Sequence, residues 1–506
     1  MSLTINIDKD YINKELDKIV SFCKSEWKIL LIVLFSFLFR LYFISINKAL
    51  WWDEAEYLGW AKHILTGMPV PEYWPGRPPL LILIACISFL LFGFENLLPL
   101  RIIELLTSVG FVFISYFLIN EFFGKKIATY TALIVSSLWI EFFYVLRIMT
   151  DTLGAFLSLS ALFFFVKFYK TNKLKYIFIC SLFFSLSVLA RYPYILSLLI
   201  FIPFLFLKKD LNLKNKLICT LILLGILFLM SLLFGFILNY PMWLSFKTFI
   251  LQNKPGLQVN DENIWFHLFY YYIQMMPSFL GWIISLFILF GILIHFLDYK
   301  LIYKNLIIYL YAILYFFMFS LNFNKQERFL LNIYPILIAI AVFGIITLVN
   351  NIKIHKIKSF LPLIIVILVV MSQLNHGINI VEFKSDSFYE VKQTAIWIKE
   401  NSNENDSVFS ASIPQINFYS ERPTYGFPQN ISAFVNKIDL IKPKYIMLSV
   451  FEQHPDYLQI VQNMPFLRLE KVFTKQGTQQ VVSAVFSINY TLFYNSSFYS
   501  NYHSNI

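Results

Sequence analysis

The sequence predicts a polytopic α-helical membrane protein of about 11 transmembrane helices, followed by a small extracytoplasmic α/β domain. Three observations carry that expectation. Of 506 residues, 58% are hydrophobic and 14% charged, with a mean hydropathy of +0.65, which is too apolar for a soluble chain. Many segments reach the roughly 20 apolar residues needed to cross a bilayer. The apolar segments stop near residue 376, and beyond it helical patterns alternate with short apolar strands.

Charge and cysteine usage narrow the class further. The formal net charge of +11 sits in short turns between apolar segments, a distribution that orients a membrane protein and does not form a nucleic-acid surface. Cys23, Cys86, Cys180 and Cys219 show neither metal-ligand spacing nor a disulfide framework. No His/Cys cluster, Gly-rich phosphate loop or internal repeat is present, and His63, His267 and His295 are isolated. The spacing therefore implies no metal or cofactor. The first 28 residues are polar and mixed in charge, unlike a cleavable signal, and are expected to form a cytoplasmic segment.

The membrane part is expected over residues 29–376, with spans near 29–46, 101–120, 127–146, 152–169, 176–190, 194–207, 217–238, 277–297, 303–321, 329–349 and 359–376. The segment 79–93 is apolar but short. If it does not cross, the basic turns around Lys125-Lys126, Lys167–Lys175, Lys208–Lys216, Lys300–Lys304 and Lys353–Lys358 all fall on the side of the N-terminus. The positive-inside rule makes that side cytoplasmic. Residues 47–100 then form one large outer loop containing 79–93 as a juxtamembrane or re-entrant helix. The cell membrane is the expected location, with the C-terminus outside.

Residues 377–490 read as the external α/β domain. An amphipathic helix lies in 386–400, a strand in Asp406 to Ser412, a short helix from Ile413 to Tyr419, and strands at Tyr445–Val450, Val472-Phe473 and Val481–Ile488. Sequons at Asn405, Asn430, Asn489 and Asn495 fit an external position. Residues 491–506, rich in Tyr, Ser and Asn, are expected to be disordered.

The outer loop concentrates the unusual residues: Trp51-Trp52-Asp53-Glu54-Ala55-Glu56, then Trp74-Pro75-Gly76-Arg77-Pro78-Pro79. Asp53 and Glu56 fit a helix cap with a box-like partner, and Gly67 fits a helix stop. A cap needs one acid, so Glu54 is left over. The alternative is a reactive site: a carboxylate takes a proton from an acceptor hydroxyl, and arginines neutralise a departing lipid phosphate. Arg77, held before two prolines, suits the phosphate. Arg40 lies about 9 Å below the outer end of the first span, at 1.5 Å per residue. It either snorkels or meets an acid, of which Glu54 is the expected partner. Asp151 competes with a helix-cap reading, Arg101 and Arg328 with interface anchoring, and Arg147 and Arg191 read as structural.

The order Trp-Asp-Glu-Ala-Glu-Tyr at 52–57, Arg-Pro-Pro-Leu at 77–80, Arg101, Asp151 after the third span and Glu327-Arg328-Phe329-Leu330 resembles the GT-C membrane glycosyltransferases. Within them the chain is most similar to the protein O-mannosyltransferase and lipid A aminoarabinose transferase group, over roughly residues 29–350. The resemblance implies inverting transfer of a sugar from a polyprenyl (dolichyl-type) phosphate to a hydroxyl acceptor on the outer face. It implies catalytic roles for Asp53, Glu54 and Asp151, donor-phosphate binding by Arg77, Arg328 and Arg101, and support from Arg40 and Glu56. No β-trefoil sugar-sensing domain follows, so the acceptor, whether protein, lipid or glycan, stays open. A multi-pass transporter or lipid flippase is the competing class. It would place ionisable groups at mid-membrane in repeated halves. A non-enzymatic scaffold is a third reading, which leaves the acid-rich loop unexplained.

Overall fold

Long apolar runs broken by short basic turns produce a layered helix bundle in the computed structural model, which describes residues 9–70, 76–240, 242–252, 264–322, 325–351, 355–475 and 477–503. Trp74, Pro75, Lys353, residues 253–263 and residues 504–506 lie outside the described residues, as does the side chain of His267. The membrane part begins with α1 (Lys9–Phe43), α2 (Trp52–Thr66), α3 (Pro79–Phe92), α4 (Leu98–Phe123), α5 (Lys125–Ser137) and α6 (Trp139–Val145). It continues with α7 (Thr150–Thr171), α8 (Leu174–Ala190), a 3-10 turn at Tyr192–Ser197, α9 (Leu198–Leu207), α10 (Leu213–Leu238) and α11 (Met242–Gln252). Then come α12 (Ile264–Leu280), α13 (Trp282–Leu297), α14 (Tyr299–Lys304), α15 (Leu306–Ser320), a 3-10 turn at Glu327–Leu330, α16 (Tyr334–Asn350) and α17 (His355–Lys384).

Among the described residues, four helical stretches are long and apolar enough to cross a membrane, and a bent pair makes a fifth. Six further apolar helices are shorter, 10–17 residues each. α10 turns Leu221, Phe228 and Phe236 outward, a surface that suits lipid and not water. The core is rich in buried phenylalanine, including Phe111, Phe142, Phe165, Phe168 and Phe184. α13 and α16 pack so closely that a Cβ at Gly291 would strike the Ile340 carbonyl, so only bare glycine fits there.

The expected span 127–146 is not continuous. α5 and α6 meet at Leu138 with a bend of 51°. A break inside an apolar bundle frees backbone groups that have no water to bond. Here side chains from two other helices take them. Arg40 Nη1 of α1 donates to the Ser136 carbonyl at 2.9 Å, and the Trp139 N–H donates to Gln373 Oε1 of α17 at 3.2 Å.

Both ends of α3 lie against α2. Pro79 follows Arg77, whose guanidinium bonds Asp53, and at the far end the Phe94 ring sits 5.5 Å from Lys62 Nζ. Arg101 then donates to the carbonyls of Ile44 and Asn47 in the segment after α1, at 3.2 and 3.0 Å. The chain thus leaves and rejoins one face of the bundle. At the opposite end, Lys125 pairs with Glu26, Lys167 and Lys170 pair with Glu121, and Lys208 bonds the Tyr169 carbonyl.

The C-terminal domain contains α18 (Tyr389–Glu400), β1 (Val408–Ser410), α19 (Ile413–Ser420), β2 (Thr424–Tyr425), α20 (Ile431–Ile441), β3 (Tyr445–Ser449), α21 (Leu458–Val461), β4 (Leu467–Thr474) and β5 (Val481–Ile488). The strand order is β2-β1-β3-β5-β4, parallel through β2, β1 and β3 and antiparallel from β3 to β5 to β4. The expected disordered tail is instead two short helices, α22 (Tyr490–Tyr494) and α23 (Ser497–Tyr502), up to residue 503. Phe493 and Phe498 are buried against Phe466, so two spaced aromatics anchor a segment whose composition looks polar. The domain docks on the loop face through α19: Tyr419 Oη accepts from the Leu50 N–H at 2.9 Å, Asn417 donates to the Pro69 carbonyl at 2.8 Å, and Lys62 pairs with Glu421 at 2.5 Å.

Candidate active site

A cavity of about 310 Å³ opens on the face where α2 and α7 begin, beside the 3-10 turn at Glu327–Leu330. Asp53 enters it from the first turn of α2. The helix begins at Trp52, and its N-terminal box is closed by Glu54, which accepts the Trp51 N–H at 2.9 Å. The expectation that Asp53 caps this helix with Glu56 is therefore corrected: Glu54 does that work and Asp53 is released to the cavity. Gly67 ends the helix as expected, with φ at +75°.

Asp53 is held from two sides. Arg77 Nη2 donates to Oδ1 at 2.6 Å, and Arg328 Nη2 donates to Oδ2 at 2.8 Å. The same Arg77 nitrogen reaches Glu56 Oε2 at 2.6 Å, and its guanidinium lies 5.2 Å from the Tyr57 ring. Asp151, in the first turn of α7, accepts from Arg328 Nη1 at 3.3 Å on Oδ2 and from Arg191 Nη1 on Oδ1. Arg328 therefore bridges the two aspartates, which are 98 positions apart in the chain.

Burial would raise the Asp53 pKa, but Arg77 and Arg328 outweigh it and hold the carboxyl well below the usual range. Burial also works against the charge of Arg77, and Asp53 and Glu56 reverse it, so that guanidinium stays protonated more firmly than usual. For Arg191 burial wins and its pKa is lowered, with Arg328 adding repulsion. The cavity wall carries Asp53 and Asp151 against Arg77, Arg191 and Arg328, and Glu56 behind it, bonded to the same Arg77 nitrogen as Asp53, brings acids and arginines to three each. Trp52, Tyr57, Tyr192, Phe249, Phe319 and Phe329 supply flat apolar surface around the cavity.

The structure brings together Asp53, Arg77, Asp151, Arg328 and, one step back, Glu56. It separates the others. Glu54 is buried, accepts the Ile148 N–H at 2.8 Å and lies 3.6 Å from Arg147, so it ties α2 to the segment leading to Asp151. Arg40 pairs with Glu141 and not with Glu54, both side chains being fully buried. Arg101 holds the segment that follows α1 by the Ile44 and Asn47 carbonyls and does not line the cavity. Arg147 stacks 3.6 Å over the Trp51 ring, and burial, opposed by Glu54, pushes its pKa down to about 10. Arg191, which reads as structural in the sequence, lines the cavity; its only clue was an Arg-Tyr-Pro sequence at a helix end. Among the described residues no group of three or more His, Cys, Asp or Glu could hold a metal ion.

Comparison with known proteins bears out the resemblance read from the motifs. Residues 76–234 match the family model for dolichyl-phosphate-mannose-protein mannosyltransferase. No curated protein matches the chain. Among solved structures it resembles ArnT from Cupriavidus metallidurans in the apo state, at 13% identity and TM-score 0.63, covering 93% of this chain and 99% of that one. The same protein bound to undecaprenyl phosphate gives 12% identity and TM-score 0.60, covering 92% and 98%. The oligosaccharyltransferase of Archaeoglobus fulgidus, tethered to an acceptor peptide, gives 15% identity and TM-score 0.61, covering 85% of this chain and 70% of that one. At these identities the likeness establishes the fold, a helical membrane domain with a small C-terminal sheet domain.

Proposed function

We propose that this chain is an inverting membrane glycosyltransferase that moves a sugar from a polyprenyl phosphate to a hydroxyl acceptor. The observation that carries the reading is the cavity in which Arg328 joins Asp53 to Asp151, with Arg77 and Arg191 on either side. The acceptor oxygen attacks the anomeric carbon while the bond from that carbon to the phosphate oxygen breaks. The electron pair leaves with the polyprenyl phosphate, and the acceptor proton passes to Asp53. Single displacement inverts the anomeric centre and uses no cofactor.

In the free site two guanidiniums make Asp53 a poor proton acceptor. A donor phosphate competes for the same N–H groups, because Arg binds phosphate in the same forked geometry as carboxylate. Drawing Arg77 and Arg328 toward the phosphate raises the pKa of Asp53 as the substrate arrives, so the base becomes active only beside its substrate. ArnT with undecaprenyl phosphate, and the archaeal oligosaccharyltransferase with dolichol-phosphate and a peptide, show that related folds accept such lipids.

The reading is tested by incubating the purified protein with a panel of radiolabelled polyprenyl-phosphate sugars. Label should appear on an acceptor with release of polyprenyl phosphate. Movement of intact sugar-lipid across a vesicle membrane, with no bond cleaved, would instead support a flippase. The membrane orientation belongs to the same proposal: the basic turns face the cytoplasm and the cavity and sheet domain face outward. A cysteine replacing Lys126 should then react only from the cytoplasmic side, and one replacing Asn403 only from outside. External labelling at 126 would reverse the orientation.

A further inference from the structure

The Arg77 carbonyl precedes two prolines that have no N–H, and it lies outside α3, whose N-cap is Pro78. No helical donor is available to it. Three hydroxyls from other parts of the fold converge on it. Tyr240 Oη donates at 2.7 Å and Ser245 Oγ of α11 at 3.0 Å, while Tyr192 Oη reaches Ser245 Oγ at 2.5 Å. Tyr192 Oη also lies 3.5 Å from the carbonyl, so the three hydroxyls and the carbonyl form one connected hydrogen-bond cluster in which each bond polarises the next. All three side chains are buried.

Residues before proline already favour an extended ψ. Pinning the carbonyl then fixes the peptide plane, and the path of the Arg77 side chain follows from its φ and χ angles alone. The guanidinium at the other end meets Asp53 and Glu56. The helix that pins the carbonyl also faces the cavity: Phe249 of α11 lines it, and Phe246 and Phe249 pack on Tyr192 at 5.5 and 5.4 Å.

We propose that Tyr240 and Ser245 are positioning residues that set the pose of Arg77 for the donor phosphate through its backbone carbonyl. α11 ties that pose to what fills the cavity beside Phe249. The inference rests on the reading of Arg77 as a phosphate contact. It is tested with undecaprenyl phosphate as the binding probe and with donor KM and kcat in the full-length protein. Tyr240→Phe and Ser245→Ala should each weaken probe binding and raise donor KM on the order of 3- to 10-fold, the effect of one lost hydrogen bond, with kcat changed less. Ser245→Thr, which keeps the hydroxyl, should restore binding. In an Arg77→Ala background, Tyr240→Phe should have no further effect, since the pose of an absent guanidinium has no consequence. Unchanged donor KM in both single variants, or effects that simply add to Arg77→Ala, would overturn the positioning role. Unchanged probe binding in Arg77→Ala itself would overturn the phosphate reading instead, so the two failures are distinguishable.

Discussion

Two sets of arginines and acids stand in this molecule within a few turns of each other, and they are built for opposite ends. Arg40 and Glu141 are sealed, with no side-chain exposure, and the arginine also bonds Ser36 and the freed Ser136 carbonyl. The cavity set is open at the rim: the Asp53 side chain is 23% exposed, and Arg77 and Arg328 are 14% and 12% exposed. The same chemistry is fixed where solvent and ligand cannot reach it and exchangeable where they can. Ion pairing by itself therefore says little about role. Access decides it.

The sharpest break of this comparison is Asp53→Asn. Asn keeps the shape and leaves the Glu54 box untouched, so the fold should persist while turnover falls about 10²–10⁴-fold, the usual worth of a general base. Full sugar transfer by this variant would send the search for the base to Asp151. The same variant should change the acid response. The Asp53 pKa is depressed in the folded state, so its contribution to stability is complete above the ordinary carboxylate range and is lost as pH falls through the folded value. Thermal unfolding of the wild type should decline on acidification more steeply than that of Asp53→Asn; equal slopes would show that the two arginines do not hold this carboxylate.

Arg40→Ala should act on stability. It leaves Glu141 buried and unpaired and the Ser136 carbonyl without a donor, a cost of about 3–5 kcal/mol. Arg40→Met combined with Glu141→Gln should recover part of it. Thermal unfolding in detergent measures both, and an Arg40→Ala protein as stable as wild type would refute the sealed-pair assignment.

Glu54→Gln is the mildest. One of two backbone donors, the Trp51 or the Ile148 N–H, loses its carboxylate oxygen, at about 1–3 kcal/mol. Donor KM should stay within about 3-fold, since Glu54 does not line the cavity, while kcat drops as Asp53 and Asp151 drift apart. A large rise in KM with kcat intact would return Glu54 to the binding site.

The sequence exposes residues that break a local rule and conceals those whose partner is distant. Asp53, Arg77, Asp151 and Arg328 are charges at the edges of apolar spans, and all four converge. Arg191 escapes because a lone arginine at a helix end has an ordinary explanation, and only the fold shows that it pairs with Asp151. Arg40 is rightly marked as needing an acid, yet Glu141 is hidden inside a run that reads as one continuous span. The break at Leu138 carries no Pro or Gly, and it exists because Arg40 and Gln373 stand ready for the freed groups. Only the assembled bundle shows that.

That break has a consequence for how the molecule comes apart. A bend secured within its own helix can straighten locally, whereas this one is secured by α1 on one side and α17 on the other. Trp139 adds a third tie, its indole N–H donating to the Phe279 carbonyl of α12 at 2.9 Å. The joint cannot open while those three helices stay in place, so this irregular point opens only together with the helices around it. Asp151 sits one short segment beyond it, and the reach of the second carboxylate is thereby written into the global stability of the domain.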